Sequence, residues 1–196
     1  MATTTAYSDM FLMVQVREGN SAVFDILVQR YRRDLVGYLY RMVQNHAVAE
    51  DLAQETFLRA YRSRAGYQPT AKLTSWLYSI ATRLAWNWSR DNRVRQHEPL
   101  EGTIEDGRPR QFADSRPTVE SALMRADRVR AVRLAIAELP ERQRSVVVMH
   151  RYHDMSYEEI ATALDCSPQA VKSLLFRAHS ALREKLARSM AVDACQ

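Results

Sequence analysis

Apolar residues recur at helical spacing along most of this chain, and the alternation expected of a strand is nowhere sustained. The longest such stretch consists of Phe24, Leu27, Val28, Tyr31, Leu35, Tyr38, Leu39 and Met42. Shorter stretches predict a helix over Asp9–Arg17 before it, and helices over Ala47–Arg64 and Thr74–Arg93 after it. A further helix is predicted over Val119–Leu139, where Pro140 ends it. The pattern therefore predicts an all-α fold.

Capping residues mark the expected boundaries of two of these helices. Asn20 precedes the second helix and is a candidate N-cap, because its side chain can accept a hydrogen bond from a free helical amide. Gly66 follows the third helix and is a candidate stop signal, because glycine tolerates the left-handed backbone that ends many helices.

The segment Glu141–Lys185 has the layout of a helix-turn-helix unit. Ser156 and Glu159 form a capping box at the start of a short helix. A three-residue turn follows, and Ser167 with Pro168 then begins a longer helix. This order of elements is typical of proteins that read DNA through the last helix.

The longer helix divides into two sides when successive residues are placed about 100° apart. The apolar side consists of Val171, Leu174, Leu175, Ala178, Ala181, Leu182 and Leu186. The opposite side carries Gln169, Lys172, Ser173, Phe176, Ser180 and Arg183, with Arg177 at its edge. Recognition helices contact bases with their first turns. The predicted DNA contacts are therefore Gln169, Lys172, Ser173, Phe176 and Arg177.

An ordinary amphipathic hairpin with a solvated charged side is the alternative interpretation of this segment. Phe176 argues against it, because a large apolar side chain in the middle of a polar face needs a partner. In the major groove, a phenylalanine can contact a thymine methyl group and an arginine such as Arg177 suits guanine. The segment is therefore expected to bind DNA.

Glycine and proline divide the chain into three parts. Pro99, Gly102, Gly107, Pro109 and Pro117 fall within one stretch that has little apolar content. Residues 1–95 carry a net charge of +5 (13 basic, 8 acidic), residues 96–120 carry −3 (3 basic, 6 acidic), and residues 121–196 carry +3 (12 basic, 9 acidic). We therefore expect two small helical domains, 1–95 and 121–196, joined by a flexible acidic linker over 96–120.

Composition excludes several classes of protein. Two cysteines, Cys166 and Cys195, are too few for a disulfide framework, and no apolar run is long enough to span a bilayer. A cytoplasmic protein without membrane insertion is expected. The chain has no glycine-rich phosphate loop and no HExxH motif, and the pair His150 and His153 lacks neighbouring ligands. We therefore expect neither an enzyme, nor a cofactor, nor a metal site.

The predicted helix over 74–93 carries a second candidate nucleic-acid surface. Arg83, Trp86 and Arg90 share one face, and aromatic rings with guanidinium groups can hold single strands by stacking and by phosphate contacts. Packing of Trp86 on a neighbouring helix is an equally open alternative. The loop before this helix could line a pocket for an unpaired base with three polar side chains: Gln68, Thr70 and Lys72.

The third predicted helix carries an acidic surface near its N-terminus. Asp51, Gln54 and Glu55 are contiguous on it. Acidic residues are favoured at any helix N-terminus, so a general charge bias is one interpretation. A docking surface for a basic partner is the other.

Three motifs together resemble the extracytoplasmic-function group of bacterial RNA polymerase sigma factors. They are AEDLAQETFLRAYR at Ala49–Arg62, SWLYSIATRLAWNWSRDNR at Ser75–Arg93, and LPERQRSVVVMHRYHDMSYEEIATALDCSPQAVKSLLFRAHSALR at Leu139–Arg183. The likeness covers nearly the whole chain outside the linker and the tails. Asp165 stands where the group usually has a turn glycine, and aspartate tolerates a left-handed backbone better than most residues.

The resemblance implies two helical domains, region two and region four, in a protein that directs core RNA polymerase to promoters. Asp51, Gln54 and Glu55 would dock on a coiled coil of the largest polymerase subunit. The helix from Pro168 to Arg188 would read the minus-thirty-five element. The minus-ten element would be melted and read by Gln68, Thr70, Lys72, Arg83, Trp86, Asn87 and Arg90. Core polymerase and promoter DNA are the implied partners, and an anti-sigma factor is a further candidate.

A helix-turn-helix regulator that acts without polymerase is the alternative function. It accounts for the second domain, but not for the acidic surface or for the Arg83, Trp86 and Arg90 face. The sigma-factor interpretation requires two modules that act when polymerase holds them apart. A single globule with Phe176 sealed inside it would contradict that interpretation.

Overall fold

The computed structural model of this protein describes residues 8–68, 72–95 and 119–193. Within these residues the regular structure is helical throughout, in agreement with the predicted fold class. The eight α-helices are α1 (Asp9–Arg17), α2 (Phe24–Val43), α3 (His46–Arg62), α4 (Leu73–Arg95), α5 (Val119–Ala137), α6 (Glu141–Tyr152), α7 (Tyr157–Leu164) and α8 (Pro168–Asp193). Thr70 and all but the last two residues of the predicted linker 96–120 lie outside the described residues.

Two predicted helix boundaries are wrong. Asn20 makes no side-chain capping bond, because the chain turns at Gly19 (φ +105°) and passes through a short 3-10 turn before α2 begins. Gly66 does not end the third helix either. That helix ends at Arg62, and Gly66 closes a separate 3-10 turn in which its amide donates to the Ser63 carbonyl (3.0 Å). The N-cap that the sequence analysis missed is Asn45, which accepts a hydrogen bond from the Val48 amide (3.1 Å).

Helices α1 to α4 form an N-terminal body around one apolar core. Leu35 and Leu39 of α2 are fully buried against α3 and α4. The α3 face that they meet is built mainly of small residues, which allows the helix axes to approach closely: Ala49, Ala53 and Ala60. The Tyr38 hydroxyl is also buried, but it shares a hydrogen bond with the Thr82 hydroxyl (2.7 Å). Burial raises the pKa of Tyr38 to about 12, so this phenol stays neutral.

Helices α5 to α8 form a C-terminal body that contains the predicted helix-turn-helix. The Glu159 amide donates to the Ser156 hydroxyl (3.2 Å), and the Ser156 amide donates to the Glu159 carboxylate (2.7 Å). This confirms the predicted capping box at the start of α7. Asp165 ends α7 in the left-handed conformation (φ 51°), and Ser167 accepts a hydrogen bond from the Ala170 amide (3.1 Å) at the start of α8. Capping residues within a few positions of each helix end therefore define where α7 begins and ends and where α8 begins.

The two bodies pack against each other, which the sequence analysis did not predict. Helix α4 contacts α7, and α2 contacts both α5 and α6. We call this set of contacts the seam. Phe176 is not part of it, since its side chain is 74 % exposed. The chain is therefore closed upon itself without burying the face of α8 that is expected to read DNA. None of the described helices has the length and apolar character needed to span a bilayer.

Replacing Ser156 by alanine should lower the free energy of unfolding by about 1 kcal/mol, because the amides at the start of α7 lose their side-chain acceptor. Urea denaturation followed by circular dichroism measures the change. Ser173→Ala is the matched control, because Ser173 is an exposed serine inside α8 where alanine is the better helix former. Equal stability of the two variants would contradict the capping role.

Candidate nucleic-acid and partner interfaces

The first turns of α8 present the candidate DNA-reading face to solvent. Gln169, Lys172, Ser173, Phe176 and Arg177 are all exposed. On the opposite side, the helix is anchored by fully buried residues of its apolar stripe, among them Val171 and Ala178. The predicted division of the helix is confirmed at these positions, although Ser180, which was assigned to the polar side, is half-buried.

A cavity of about 250 Å³ opens at the start of α4. Its lining consists of Gly66, Tyr67, Gln68, Ser75, Trp76, Ser79 and Thr162. The rings of Tyr67 and Trp76 pack at a tilt with centroids 5.2 Å apart. The Tyr67 hydroxyl is buried and has no hydrogen-bond partner among the described residues. Burial, reinforced by the charge of Asp9, raises the pKa of Tyr67, so its hydroxyl keeps its proton and can donate it to an acceptor.

Of the three loop residues predicted to line such a pocket, Gln68 does so. Thr70 lies outside the described residues. Lys72 contacts the C-terminal body instead, where its ammonium pairs with the Glu159 carboxylate at 2.5 Å. Thr162, one turn further along α7, belongs to the cavity wall and was not predicted. One wall of the pocket is therefore supplied by the other body.

The Trp86 face of α4 is also engaged across the seam. The Trp86 indole donates a hydrogen bond to the buried Ser145 hydroxyl of α6 (3.2 Å), and the Arg142 guanidinium lies 5.5 Å from the ring centroid. Trp86 therefore packs on a neighbouring helix, which is one of the two alternatives that the sequence left open for it. Arg83 and Arg90 on the same helix remain exposed.

Asn87 is exposed beside that face. Its side-chain carbonyl accepts a hydrogen bond from the Arg90 guanidinium (3.2 Å). This hydrogen bond lies within one turn of α4 and does not involve the C-terminal body. The exposed part of the face therefore consists of two arginines and an amide.

The acidic surface occupies the first half of α3. Asp51 and Gln54 are exposed, whereas Glu55 is half-buried and pairs with Arg59 one turn later (2.6 Å). Leu58 adds an apolar side chain that is 49 % exposed. Leu58 follows Glu55 by three residues and Asp51 by seven, which places it on the same helix face. This spacing is the sequence signal that Leu58 belongs to the acidic surface.

Arg144 of α6 is the main polar contact of the seam. Its guanidinium donates to the Met42 carbonyl at the end of α2 (2.5 Å) and to the Leu139 carbonyl (3.1 Å), and it also bonds to the Ala137 carbonyl. The last carbonyls of a helix lack partners within the helix, so one cation here satisfies the ends of α2 and α5. The two bodies are therefore joined through main-chain groups of both.

A second polar contact involves His153, which follows α6. Its Nδ1 atom lies 2.7 Å from the Tyr78 hydroxyl of α4. Its ring packs edge-on against Tyr78 (5.1 Å between centroids) and Tyr38 (5.9 Å). Nearby, the Arg41 guanidinium lies over the Tyr152 ring at 4.1 Å. The end of α6 is therefore inserted between α2 and α4.

Comparison with known proteins places both bodies in one family. Residues 27–95 match Sigma-70 region 2, and residues 129–182 match Sigma-70, region 4. The RNA polymerase sigma-H factor of Pseudomonas aeruginosa is 31 % identical over 185 residues, which cover 93 % of this chain and 95 % of that protein. The ECF RNA polymerase sigma factor SigW of Bacillus subtilis is 30 % identical, with 88 % and 93 % covered.

The chain belongs to the extracytoplasmic-function group of RNA polymerase sigma factors. A sigma factor binds RNA polymerase and directs initiation at specific promoters, and this is the function of the chain. The alternative of a regulator that acts without polymerase does not explain the region 2 match over residues 27–95.

Two solved structures show the same fold as this sigma factor. CnrH, in complex with the cytosolic domain of CnrY, superimposes with a TM-score of 0.68 at 22 % identity, covering 93 % of this chain and 99 % of that one. The sigma factor RpoE of Bartonella quintana, in complex with the anti-sigma factor NepR, gives 0.65 at 20 % identity, covering 84 % and 96 %. The arrangement of helices is therefore shared well beyond sequence similarity.

Replacing Arg144 by methionine should lower the free energy of unfolding by about 2–3 kcal/mol, because carbonyls of both bodies lose a charged donor. Arg142→Met is the matched control, because Arg142 is exposed and touches the seam only above the Trp86 ring. Chemical denaturation of both variants measures the difference. Equal losses would show that Arg144 does not join the bodies in the manner described.

Proposed function

We propose that the first turns of α8 read the minus-thirty-five element of the promoters that this sigma factor serves. The observation that carries the proposal is the exposure of Phe176 (74 %) among polar side chains, on a helix whose other side is anchored in the core. Lys172 and Arg177 on either side of it are the donors suited to guanine edges and phosphates. Phe176 between them is suited to a thymine methyl group. Gln169 and Ser173 complete the contact set.

The minus-ten element is assigned to the cavity at the start of α4 and to the exposed face beside it. The cavity offers an unpaired base the ring of Trp76, the Gln68 amide and the free Tyr67 hydroxyl, which together supply stacking and hydrogen bonds. Lys72, Thr70 and the α4 side chains Arg83, Trp86, Asn87 and Arg90 complete this assignment. The cations among them would follow the phosphates, and Trp86 would stack on a base.

Core polymerase is assigned to the acidic surface of α3. Asp51, Gln54 and Glu55 supply charge and hydrogen-bond acceptors for a basic partner, which we take to be the coiled coil of the largest polymerase subunit. Leu58 adds an apolar centre to the same face. Charged residues around a partly apolar centre are the usual composition of a specific protein interface.

The closed arrangement described above is then a resting state. Lys72 and Trp86 already have partners in the C-terminal body, and Thr162 of that body forms part of the cavity wall. The two promoter elements are named from positions 25 base pairs apart, which is roughly 85 Å at 3.4 Å per base pair. Packed helices lie only about 8–10 Å apart. The bodies therefore separate before both elements are read, and we assign 1–95 and 121–196 as the moving domains with 96–120 as their linker.

The sigma-factor function also bears on where the protein acts, on whether it catalyses a reaction and on its further partners. The protein acts in the cytoplasm, where core polymerase and promoter DNA are found, and it catalyses no reaction itself. An anti-sigma factor is a further partner, because RpoE of Bartonella quintana, which shares the fold, was solved in complex with the anti-sigma factor NepR.

Replacing both Asp51 and Glu55 by arginine should abolish co-purification with core polymerase, because the docking surface then repels a basic partner. The double variant Glu18→Arg with Asp25→Arg makes the same change of charge at exposed sites of the N-terminal body and should bind normally. Circular dichroism checks that both variants are folded. Retention of polymerase by the first variant would refute the docking assignment.

Replacing Arg177 by alanine should weaken holoenzyme binding to promoters that contain the upstream element by about 1–3 kcal/mol, which is roughly five- to 150-fold. Promoters whose upstream element has been scrambled should lose nothing further. Arg128→Ala removes an exposed arginine from α5 and serves as the control. The assignment fails if Arg177→Ala reduces binding to both promoter types equally.

A further inference from the structure

The seam engages Trp86 and Lys72 among the residues assigned to the minus-ten element, so whatever opens it controls their availability. Its polar contacts differ in how they can respond to conditions. The pair of Lys72 and Glu159 is weak, because the Lys72 side chain is 74 % exposed. Arg144 is charged at every physiological pH. Among the described contacts of the seam, His153 is the one whose ordinary pKa lies between pH 5 and 8.

We propose that His153 is a proton-operated latch, which holds the two bodies together when neutral and releases them when protonated. The consequence for promoter reading rests on the proposed function, because it assumes that the covered residues of α4 bind the minus-ten element. The release itself is a property of the seam and does not depend on that assignment.

The geometry suits a neutral imidazole. The Tyr78 phenol can donate its proton to Nδ1 at 2.7 Å. Burial raises the pKa of Tyr78, so this donor remains protonated at every pH of interest. The other ring nitrogen, Nε2, is buried without a hydrogen-bond partner, while the ring packs on Tyr38 and Tyr78. A neutral ring therefore makes one good hydrogen bond and two aromatic contacts, and it leaves a single polar atom unpaired.

Protonation removes the basis of this arrangement. Both nitrogens of an imidazolium ion are donors, so Nδ1 can no longer accept the Tyr78 proton and donates to the Tyr78 oxygen instead. The Tyr78 hydroxyl proton must then find another acceptor, and Nε2–H remains buried without one. A charge with an unpaired donor is costly in such a site. Separation of α6 from α2 and α4 places the ring in water and relieves both problems.

The charged groups around the ring do not change this conclusion. Asp34 of α2 and Asp154 of the same loop favour the imidazolium form, and both line a neighbouring cavity of about 210 Å³ with His153. Arg41 of α2 opposes protonation. Burial raises the pKa of Tyr31, Tyr38 and Tyr78 around the site, so these phenols stay neutral. Burial, followed by Arg41, outweighs the two carboxylates and lowers the pKa of His153 from 6.5 to about 4.

Acidification is expected to shift the molecule from the closed form to the open form. Because the pKa of His153 is lower in the closed form than in water, the closed form is favoured above pH 6.5 and loses that advantage as the pH falls toward 4. Linkage with these two values gives a decrease in the ratio of closed to open molecules of roughly tenfold between pH 7.5 and pH 5.5. Partial solvent access to the ring weakens this effect, so the smallest decrease that we expect in the ratio of closed to open molecules is several-fold.

Binding of a fluorescein-labelled, mixed-sequence single-stranded DNA by the full-length free chain tests the latch. Apparent affinity is proportional to the fraction of molecules that are open, so it reports opening even when few molecules are open. The His153→Gln variant is the key comparison, because a glutamine side-chain carbonyl can accept the Tyr78 proton but cannot titrate. His46→Gln, at an exposed histidine of α3, is the matched control. Ratios between variants at each pH cancel the general effect of pH on DNA binding.

The expected result is that affinity rises by several-fold to tenfold from pH 7.5 to 5.5 in the wild type and His46→Gln, relative to His153→Gln. Equal pH dependence in all three proteins would overturn the latch. If His153→Gln does not fold, His153→Asn replaces it, and a wild type that gains nothing on acidification overturns the proposal without any variant.

Small-angle scattering from the same samples separates the latch from the DNA assignment. Expansion of the wild type at pH 5.5, absent in His153→Gln, supports the latch even if no protein binds the oligonucleotide. In that case it is the minus-ten assignment that fails. A wild type that stays as compact at pH 5.5 as the glutamine variant, and gains no DNA affinity over it, excludes a latch at His153.

Discussion

One face of α4 packs against the C-terminal body, and it is also the face that we propose binds the minus-ten element. This double demand is the main constraint on the rest of the molecule. Trp86 donates to Ser145 of α6, and the loop residue Lys72 pairs with Glu159 of α7. The same side chains are those assigned to unpaired promoter DNA. Trp86 has a single N–H donor and one indole ring, so packing of the free chain competes with the proposed reading of the minus-ten element for this part of the surface. Arg144 favours the folded side of this competition by tying the carbonyl ends of α2 and α5 together.

The two bodies consequently differ in how much of their proposed DNA-binding faces is exposed. The face of α8 that is proposed to read DNA is open, with Phe176 and Arg177 in solvent. Part of the face of α4 that is proposed to read the minus-ten element is covered by the body that carries α8. The proposed docking of polymerase on the α3 surface would require no contact with the seam, because Asp51 and Gln54 are already exposed. Docking and opening are therefore separable steps, and the energy of the seam sets how readily the second follows the first.

Local chemistry was predictable from the sequence, and long-range packing was not. The helix-turn-helix was predicted in full because Ser156, Glu159 and Ser167 act on amides within three residues of themselves. Asn20 and Gly66 were misassigned because 3-10 turns intervene on either side of α2 and α3, and periodicity does not detect such turns. For Trp86, helical spacing gives a face but not its partner, and here the partner lies in the other body. The seam and the wall supplied by Thr162 both depend on contacts between distant segments.

The central claim is that the covered face of α4 must part from α7 when this sigma factor acts. Fluorescence energy transfer between dyes on exposed positions of α4 and α7, in the free chain and in the complex with core polymerase and promoter DNA, measures this most directly. We expect efficient transfer in the free chain, where the two helices are packed. Transfer should be lost in the complex, where the dyes approach the roughly 85 Å that separates the two promoter elements. Unchanged transfer in a complex that is active in initiation would contradict the account.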